Sequence, residues 1–169
     1  LTAQSGQFTP GAKHNVLSVP DSKGRAGIYI CYESIFPDIT RDLVLNGANF
    51  LINTTNDAWF GKTAAPEQHF AMSVIRAIET RRTVVRAANT GISGIISPTG
   101  QIIISTKLEE TRIFTENIEL RSDKTFYVRH GNWVLGISAT IVAIYLLFIL
   151  KIFSFSSVKS LIHQKSQGI

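Results

Sequence analysis

A single cysteine, Cys31, and a single methionine, Met72, are all the sulfur that these 169 residues carry, and only four histidines are scattered among them. One cysteine excludes an internal disulfide framework, and one cysteine with scattered histidines gives no zinc-ligand spacing. Cys31 is therefore read as a thiol, and no metal or other cofactor is called for. Charge is also sparse, at 17% of residues, and the 17 lysines and arginines behind the net charge of +5 are dispersed. Without a basic stripe interleaved with aromatics, the composition argues against nucleic-acid binding; attraction to acidic lipid headgroups is the better use of that charge. There is no internal repeat and no low-complexity tract. Leu1 stands where a methionine would open a complete chain, and no cationic leader with a short apolar run precedes the first polar stretch, so the start reads as a cut or processed end with residues expected upstream.

What is present is apolar: 44% of residues are hydrophobic, enough for one packed domain and too much for a disordered chain. The eighteen residues from Trp133 to Leu150 (WVLGISATIVAIYLLFIL) carry no charge before Lys151 interrupts the run. At about 1.5 Å per residue that length just crosses a bilayer's hydrocarbon core as a helix, and Trp133 and Tyr145 suit the interfaces. The flanking cations are balanced, Arg121, Lys124 and Arg129 against Lys151, Lys159 and Lys165, so charge asymmetry does not choose an orientation.

Upstream, residues 1–26 are rich in Gly, Pro, Ser and Lys and read as an irregular approach. Gly27 to Cys31 (GIYIC) predicts a strand, and Pro37-Asp38 a helix start, because proline tolerates the first turn and a carboxylate suits its positive end. That helix is expected to stop at Asn46-Gly47, and Ala48 to Thr55 predicts a second strand. A further helix is predicted from Pro66-Glu67 to Arg81-Arg82, with Phe70, Val74 and Ile78, flanked by Ala71 and Ile75, as the face packed on the sheet. Thr83 to Asn89 predicts a third strand, Ile92 to Ser97 and Gln101 to Ser105 a hairpin around Pro98-Thr99-Gly100, and Arg112 to Leu120 a last strand. The pattern is mixed α/β, followed by a linker through Tyr127 and the apolar helix.

Cys31 falls where a strand meets a helix start, the place where α/β sheets put chemistry, and a helix N-terminus nearby favours a thiolate. A lone cysteine at a strand end is also an ordinary small apolar residue. Glu33 either hydrogen-bonds a catalytic partner, braces the turn or is a solvated loop carboxylate. His69 offers a Cys and His pairing, although a helical histidine beside Phe70 more usually packs or caps.

Five stretches in order then carry a resemblance: Gly27-Ile28-Tyr29-Ile30-Cys31-Tyr32-Glu33, Asn56-Asp57-Ala58-Trp59-Phe60-Gly61, Pro66-Glu67-Gln68-His69, Arg76-Ala77-Ile78-Glu79 and Arg86-Ala87-Ala88-Asn89-Thr90-Gly91-Ile92-Ser93. With Phe8-Thr9-Pro10-Gly11 before them and Tyr127 to Trp133 after, they resemble the carbon-nitrogen hydrolase (nitrilase-like) domain and last membrane helix of the apolipoprotein N-acyltransferase family, over roughly residues 8 to 150. The resemblance implies part of a nitrilase-like αββα sandwich followed by one C-terminal transmembrane helix. Residues 1–128 would be the C-terminal part of the hydrolase-like domain, 129–155 the membrane helix with its flanks, and 156–169 a polar tail.

The resemblance also implies an enzyme of the bacterial cytoplasmic (inner) membrane, with its catalytic domain on the outer, periplasmic side and its C-terminus in the cytoplasm. Cys31 matches the nucleophile, which takes an acyl chain from a membrane phospholipid as a thioester and passes it to the N-terminal amine of a lipidated apolipoprotein. Glu33 would support it, and Tyr32, Trp59 and Phe60 would meet substrate, the two latter at an apolar entrance unless they are core aromatics. The family's general-base Glu and oxyanion Lys precede the cysteine. Here only Lys13, Asp21 and Lys23 do so, none in the family's local context, so the isolated chain is expected to be inactive. A membrane-bound amide hydrolase and a non-catalytic remnant are the alternatives.

Overall fold

The computed structural model describes residues 9, 11 and 13–166, with side chains through Lys151. It divides into two units, residues 1–131 and residues 132–169. The first holds a six-stranded sheet in sequential order: β1 (Val16–Ser18), β2 (Arg25–Ile30), β3 (Phe50–Thr55), β4 (Val84–Ala88), β5 (Gly94–Ile96) and β6 (Ile102–Ser105). The β2, β3 and β4 strands are parallel, and the outer pairings are antiparallel. Parallel neighbours require crossovers, supplied by α1 (Pro37–Leu45) and α2 (Ala65–Thr80). As expected, Pro37 opens α1 with Asp38 in the first turn; α2 ends on Arg81 in the left-handed conformation.

Register sets the two faces of the sheet. Gly27, Leu51 and Val84 are aligned, as are Tyr29, Asn53 and Arg86, and all six are buried on the helix side. Gly27 is required there, because a Cβ would meet Ala48, Leu51 and Leu43 at 3.0 Å or less. The core joins Leu43 and Val44 of α1 and Phe70 and Ala77 of α2 to Tyr29, Leu51, Val84 and Ile96. The intervening rows, Ile28 with Ile52 and Val85, and Ile30 with Thr54 and Ala87, face away from both helices and are open or half-open, Ile30 being 61% exposed. This unit is one sheet with one helical layer, half of an αββα sandwich.

Three expectations need correction. The approach segment contains β1, which the pattern concealed because it is three residues long and held by its pairing with β2. Arg112 to Leu120 is not a strand. This segment meets the starts of β3 and β4 instead of running beside a strand: Thr83 Oγ1 donates to the Glu119 carbonyl at 3.2 Å and Arg121 N–H to the Asn49 carbonyl at 3.1 Å. Its Ile113 is 95% exposed, so alternation there reflects no buried face. Finally, α2 buries His69, Phe70, Ser73, Arg76, Ala77 and Thr80, while Ala71, Ile75 and Ile78 are exposed and Val74 is half-buried. The inward face is rotated from the apolar stripe because it meets polar side chains on the sheet.

The first unit closes with α3 (Phe126–His130), capped by Thr125 Oγ1, which accepts from Val128 N–H at 3.0 Å. The second unit is α4 (Trp133–Ser166), whose stretch Trp133–Lys151 is long and apolar enough to cross a membrane. Residues 156–166, expected as a polar tail, lie in this helix; the side chains beyond Lys151, residues 167–169, and Phe8 and Pro10 of the Phe8 to Gly11 stretch lie outside the described residues.

Candidate active site

At the C-terminal end of β2 the alternation of side chains breaks. Cys31 has φ +50°, a left-handed conformation costing a residue with a Cβ about 1–2 kcal/mol, and opens a 3₁₀ turn, Cys31–Ile35. Glu33 explains how the turn is held: its Oε2 accepts the Ile30 backbone N–H at 2.6 Å. Of the roles open to Glu33 in the sequence, bracing the turn is the one its geometry fills. Cys31 itself is half-buried.

A second 3₁₀ turn, Asp57–Phe60, follows β3, with Asn56 Oδ1 accepting from Ala58 N–H and from the Thr90 hydroxyl. This turn carries three residues in three directions. Trp59 is 81% exposed and Phe60 half-buried, so neither is a core aromatic. Phe60 stands edge-on to His69, 5.6 Å between centroids, and Tyr32 lies tilted on the same imidazole at 6.0 Å. Together with Ile35, Gln68 and Met72 they line a mainly apolar cavity of about 140 Å³ beside the Cys31 turn.

Asp57 points inward instead, into a buried polar cluster beneath Cys31. Its Oδ2 accepts from Arg86 Nη2 at 2.8 Å, while Oδ1 accepts from the Thr55 hydroxyl at 2.9 Å and faces His69 Nδ1 at 2.9 Å. Arg86 spends its guanidinium fully: Nε donates to the Ile92 carbonyl, Nη1 to Asn53 Oδ1 and Ser73 Oγ, and Nη2 also touches His69 Nδ1 at 3.0 Å. Burial pulls Arg86 below its ordinary range, opposed mainly by Asp57 and, more weakly, by Tyr29 and Cys31. Burial likewise pushes the Tyr29 hydroxyl up to about 12, against the pull of Ser73, Arg86 and Arg76. Gly91 must be a glycine here, since a Cβ would fall inside the Asp57 carboxylate.

His69 joins cluster to thiol through the backbone, its Nε2 lying 3.1 Å from the Cys31 carbonyl oxygen. With Nδ1 already against Asp57 and Arg86, neither ring nitrogen is free to take the thiol proton. The structure thus brings Cys31, Tyr32, Glu33, Phe60 and His69 together and leaves Trp59 at the surface. Lys13, Asp21 and Lys23 are exposed and none of their side chains hydrogen-bonds within the cluster. Asn53, Asp57, Ser73 and Arg86 were not singled out from the sequence. The available signal was a polar Asn53 and a charged Arg86 at inward positions of otherwise apolar strands; Asp57, on a turn, and Ser73, on α2, carried no such signal.

A family model described as carbon-nitrogen hydrolase matches residues 3–123. Among curated relatives, an apolipoprotein N-acyltransferase of Geobacter metallireducens is 42% identical over 146 residues, covering 85% of this chain and 28% of the relative. One from Thermotoga maritima is 39% identical over 137 residues, covering 81% of this chain and 27% of that protein. The chain therefore spans little more than a quarter of the length of these relatives. Among solved structures, a carbon-nitrogen hydrolase from Helicobacter pylori superposes with a TM-score of 0.53 at 18% identity, over 62% of this chain and 43% of that one. Nit3 of Saccharomyces cerevisiae, of the nitrilase superfamily, does so at 0.50 with 22% identity, over 62% of this chain and 40% of its own. The fold is thus nitrilase-like, and because the matched residues run from before β1 to the segment beyond β6, the chain belongs to the carbon-nitrogen hydrolase family.

Proposed function

We propose that the protein of which this chain forms part is a membrane-anchored apolipoprotein N-acyltransferase, with Cys31 as its nucleophile. The observation that carries this reading is 42% identity across 85% of the chain to a relative of that name. The thiol at the end of β2, beside an apolar cavity and on a chain with one membrane-length helix, fits it.

In the proposed reaction the Cys31 thiolate attacks the carbonyl carbon of a phospholipid acyl ester. The ester C–O bond breaks, the alkoxide takes a proton and leaves as lysophospholipid, and the acyl chain remains as a thioester. The neutral α-amine of a lipoprotein's lipidated N-terminal cysteine then attacks that carbonyl, the C–S bond breaks, and amide and thiol form. Dividing one difficult transfer into two easier ones is the advantage of the covalent route. Tyr32 and Phe60 line the acyl path, the exposed Trp59 meets lipid or lipoprotein at its entrance, and Glu33 supports the turn that presents the thiol. In this reading the first unit lies on the periplasmic side of the inner membrane and the C-terminus in the cytoplasm.

Mass spectrometry of the full-length protein from its native membrane tests this proposal. A hydroxylamine-sensitive acyl adduct on Cys31, absent from Cys31→Ser and Cys31→Ala together with all transfer activity, is the expected result. Persistent transfer by either variant overturns the nucleophile. The membrane-length helix favours a lipid acceptor over hydrolysis, and water winning over an amine in an assay offering both would instead establish a hydrolase.

A further inference from the structure

The buried cluster does not enter the chemistry just described, yet it ends on the nucleophile's own peptide group. His69 Nε2 lies 3.1 Å from the Cys31 carbonyl oxygen. A carbonyl only accepts, so Nε2 carries a hydrogen whatever the state of the rest of the ring. The other side of the ring is fixed by Asp57 Oδ1 at 2.9 Å and Arg86 Nη2 at 3.0 Å. With a proton, Nδ1 donates to Asp57; without one, it accepts from Arg86. Either arrangement leaves Nε2–H aimed at Cys31. The carbonyl so held belongs to a residue in the left-handed conformation, φ +50°, which sterics disfavour for cysteine and which persists only where its surroundings enforce it.

We propose that His69 is a positioning residue for Cys31: its Nε2–H, oriented by Asp57 and Arg86, fixes the Cys31 carbonyl and so holds the backbone geometry from which the thiol is presented. Glu33, accepting from Ile30 N–H at 2.6 Å, holds the Tyr29–Ile30 peptide, one residue upstream, so the chain is fastened before and after its strained residue. The inference rests on Cys31 being the nucleophile. It differs from a Cys and His pair because His69 moves no proton; the thioester still forms without it, only more slowly.

Histidine's two nitrogens can be separated by substitution, since a glutamine amide reaches the place of Nε2 and an asparagine amide that of Nδ1. Thioester formation in the full-length protein, followed by rapid quench with phospholipid, should slow about tenfold in His69→Ala with an unchanged KM, less than the roughly hundredfold that a full 1 Å displacement of a reacting group can cost. His69→Gln should recover most of it. His69→Asn, which keeps the Asp57 side and loses the carbonyl, should remain as slow as alanine. Equal rates for Gln and Asn, or rates that simply follow melting temperature across the three variants, would overturn the proposal; complete loss of thioester in His69→Gln would do so in favour of a His69 proton acceptor. Alkylation of Cys31 by iodoacetamide needs no lipid and should keep the same order. That order without any acyl adduct in the unaltered protein would preserve the positioning role and refute the acyltransferase reading.

Discussion

Arg86 and Asp57 are both fully buried, so removing either partner would strand an uncompensated charge, although desolvation offsets much of what the intact pair contributes to stability. Their cluster extends upward to Cys31 and downward to Tyr29, whose backbone carbonyl accepts from Asn53 Nδ2 at 3.2 Å. Tyr29 supplies a measurable pH signature. Its phenol is held up to about 12 from 10.0, chiefly by burial, so the folded state favours the protonated form. The associated stability is complete below pH 10 and is lost as pH rises through about 12, on the order of 2–3 kcal/mol in all. Tyr29→Phe should flatten this alkaline loss in denaturant titrations between pH 9 and 11; an unchanged slope relative to the unaltered protein would show that Tyr29 does not govern it. Cys31 and its immediate neighbours stood out as candidates from type and context alone. The inward partners did not, because Asp57 on a turn, His69 on α2 and Arg86 on β4, separated by twelve and seventeen residues, acquire meaning only when packing brings the three elements together.

Among the elements, the irregular stretch after β6 depends most on one side chain. Arg82, fully buried just beyond α2, donates Nε to the Ala48 carbonyl at 2.9 Å, Nη1 to the Thr80 and Arg81 carbonyls, and Nη2 to the Asp123 carbonyl at 2.7 Å. Thr125 adds a bond to the Glu79 carbonyl at 2.7 Å while capping α3. Removing the guanidinium leaves several buried carbonyls unpaired, so Arg82→Leu should cost about 2–4 kcal/mol and lower the melting temperature by about 10 °C. Arg82→Lys should recover little, because one ammonium cannot replace a planar fork reaching four carbonyls. A shift below about 2 °C in Arg82→Leu would show that the tie is dispensable. The predicted strand at Arg112 to Leu120 failed for a related reason: its fixed points are side chains and strand starts, not a neighbouring strand.

On the scale of the whole molecule, the open face of the sheet is the dominant fact. Ile28 and Ile30 on β2, with half-buried Ile52 and Val85 beside them, have no opposing layer among the described residues of the first unit. The chain also covers only 43% of the Helicobacter pylori hydrolase whose fold it shares. Near Cys31 the charged side chains are already committed, Glu33 to a backbone N–H and Arg86 to its cluster, which leaves no lysine or free carboxylate in the described cluster for an oxyanion or a proton. Residues 1–169 produced alone should therefore bind a fluorescent apolar dye strongly and transfer no acyl group above background, since losing even one oxyanion donor costs about a hundredfold. Transfer by the isolated chain would show that its site is self-sufficient.

Sequence alone determined the succession of central strands and helices along the chain, the membrane-length helix and the position of the lone thiol, because these follow from local periodicity, turn chemistry and residue identity. Tertiary structure decided which polar residues share the inward face, that α2 turns His69 and Ser73 toward the sheet, and that the Cys31 peptide is held from below. The reason is physical: pleat and helical pitch determine which side chains share a face, but only pairing register and packing determine which of those faces meet.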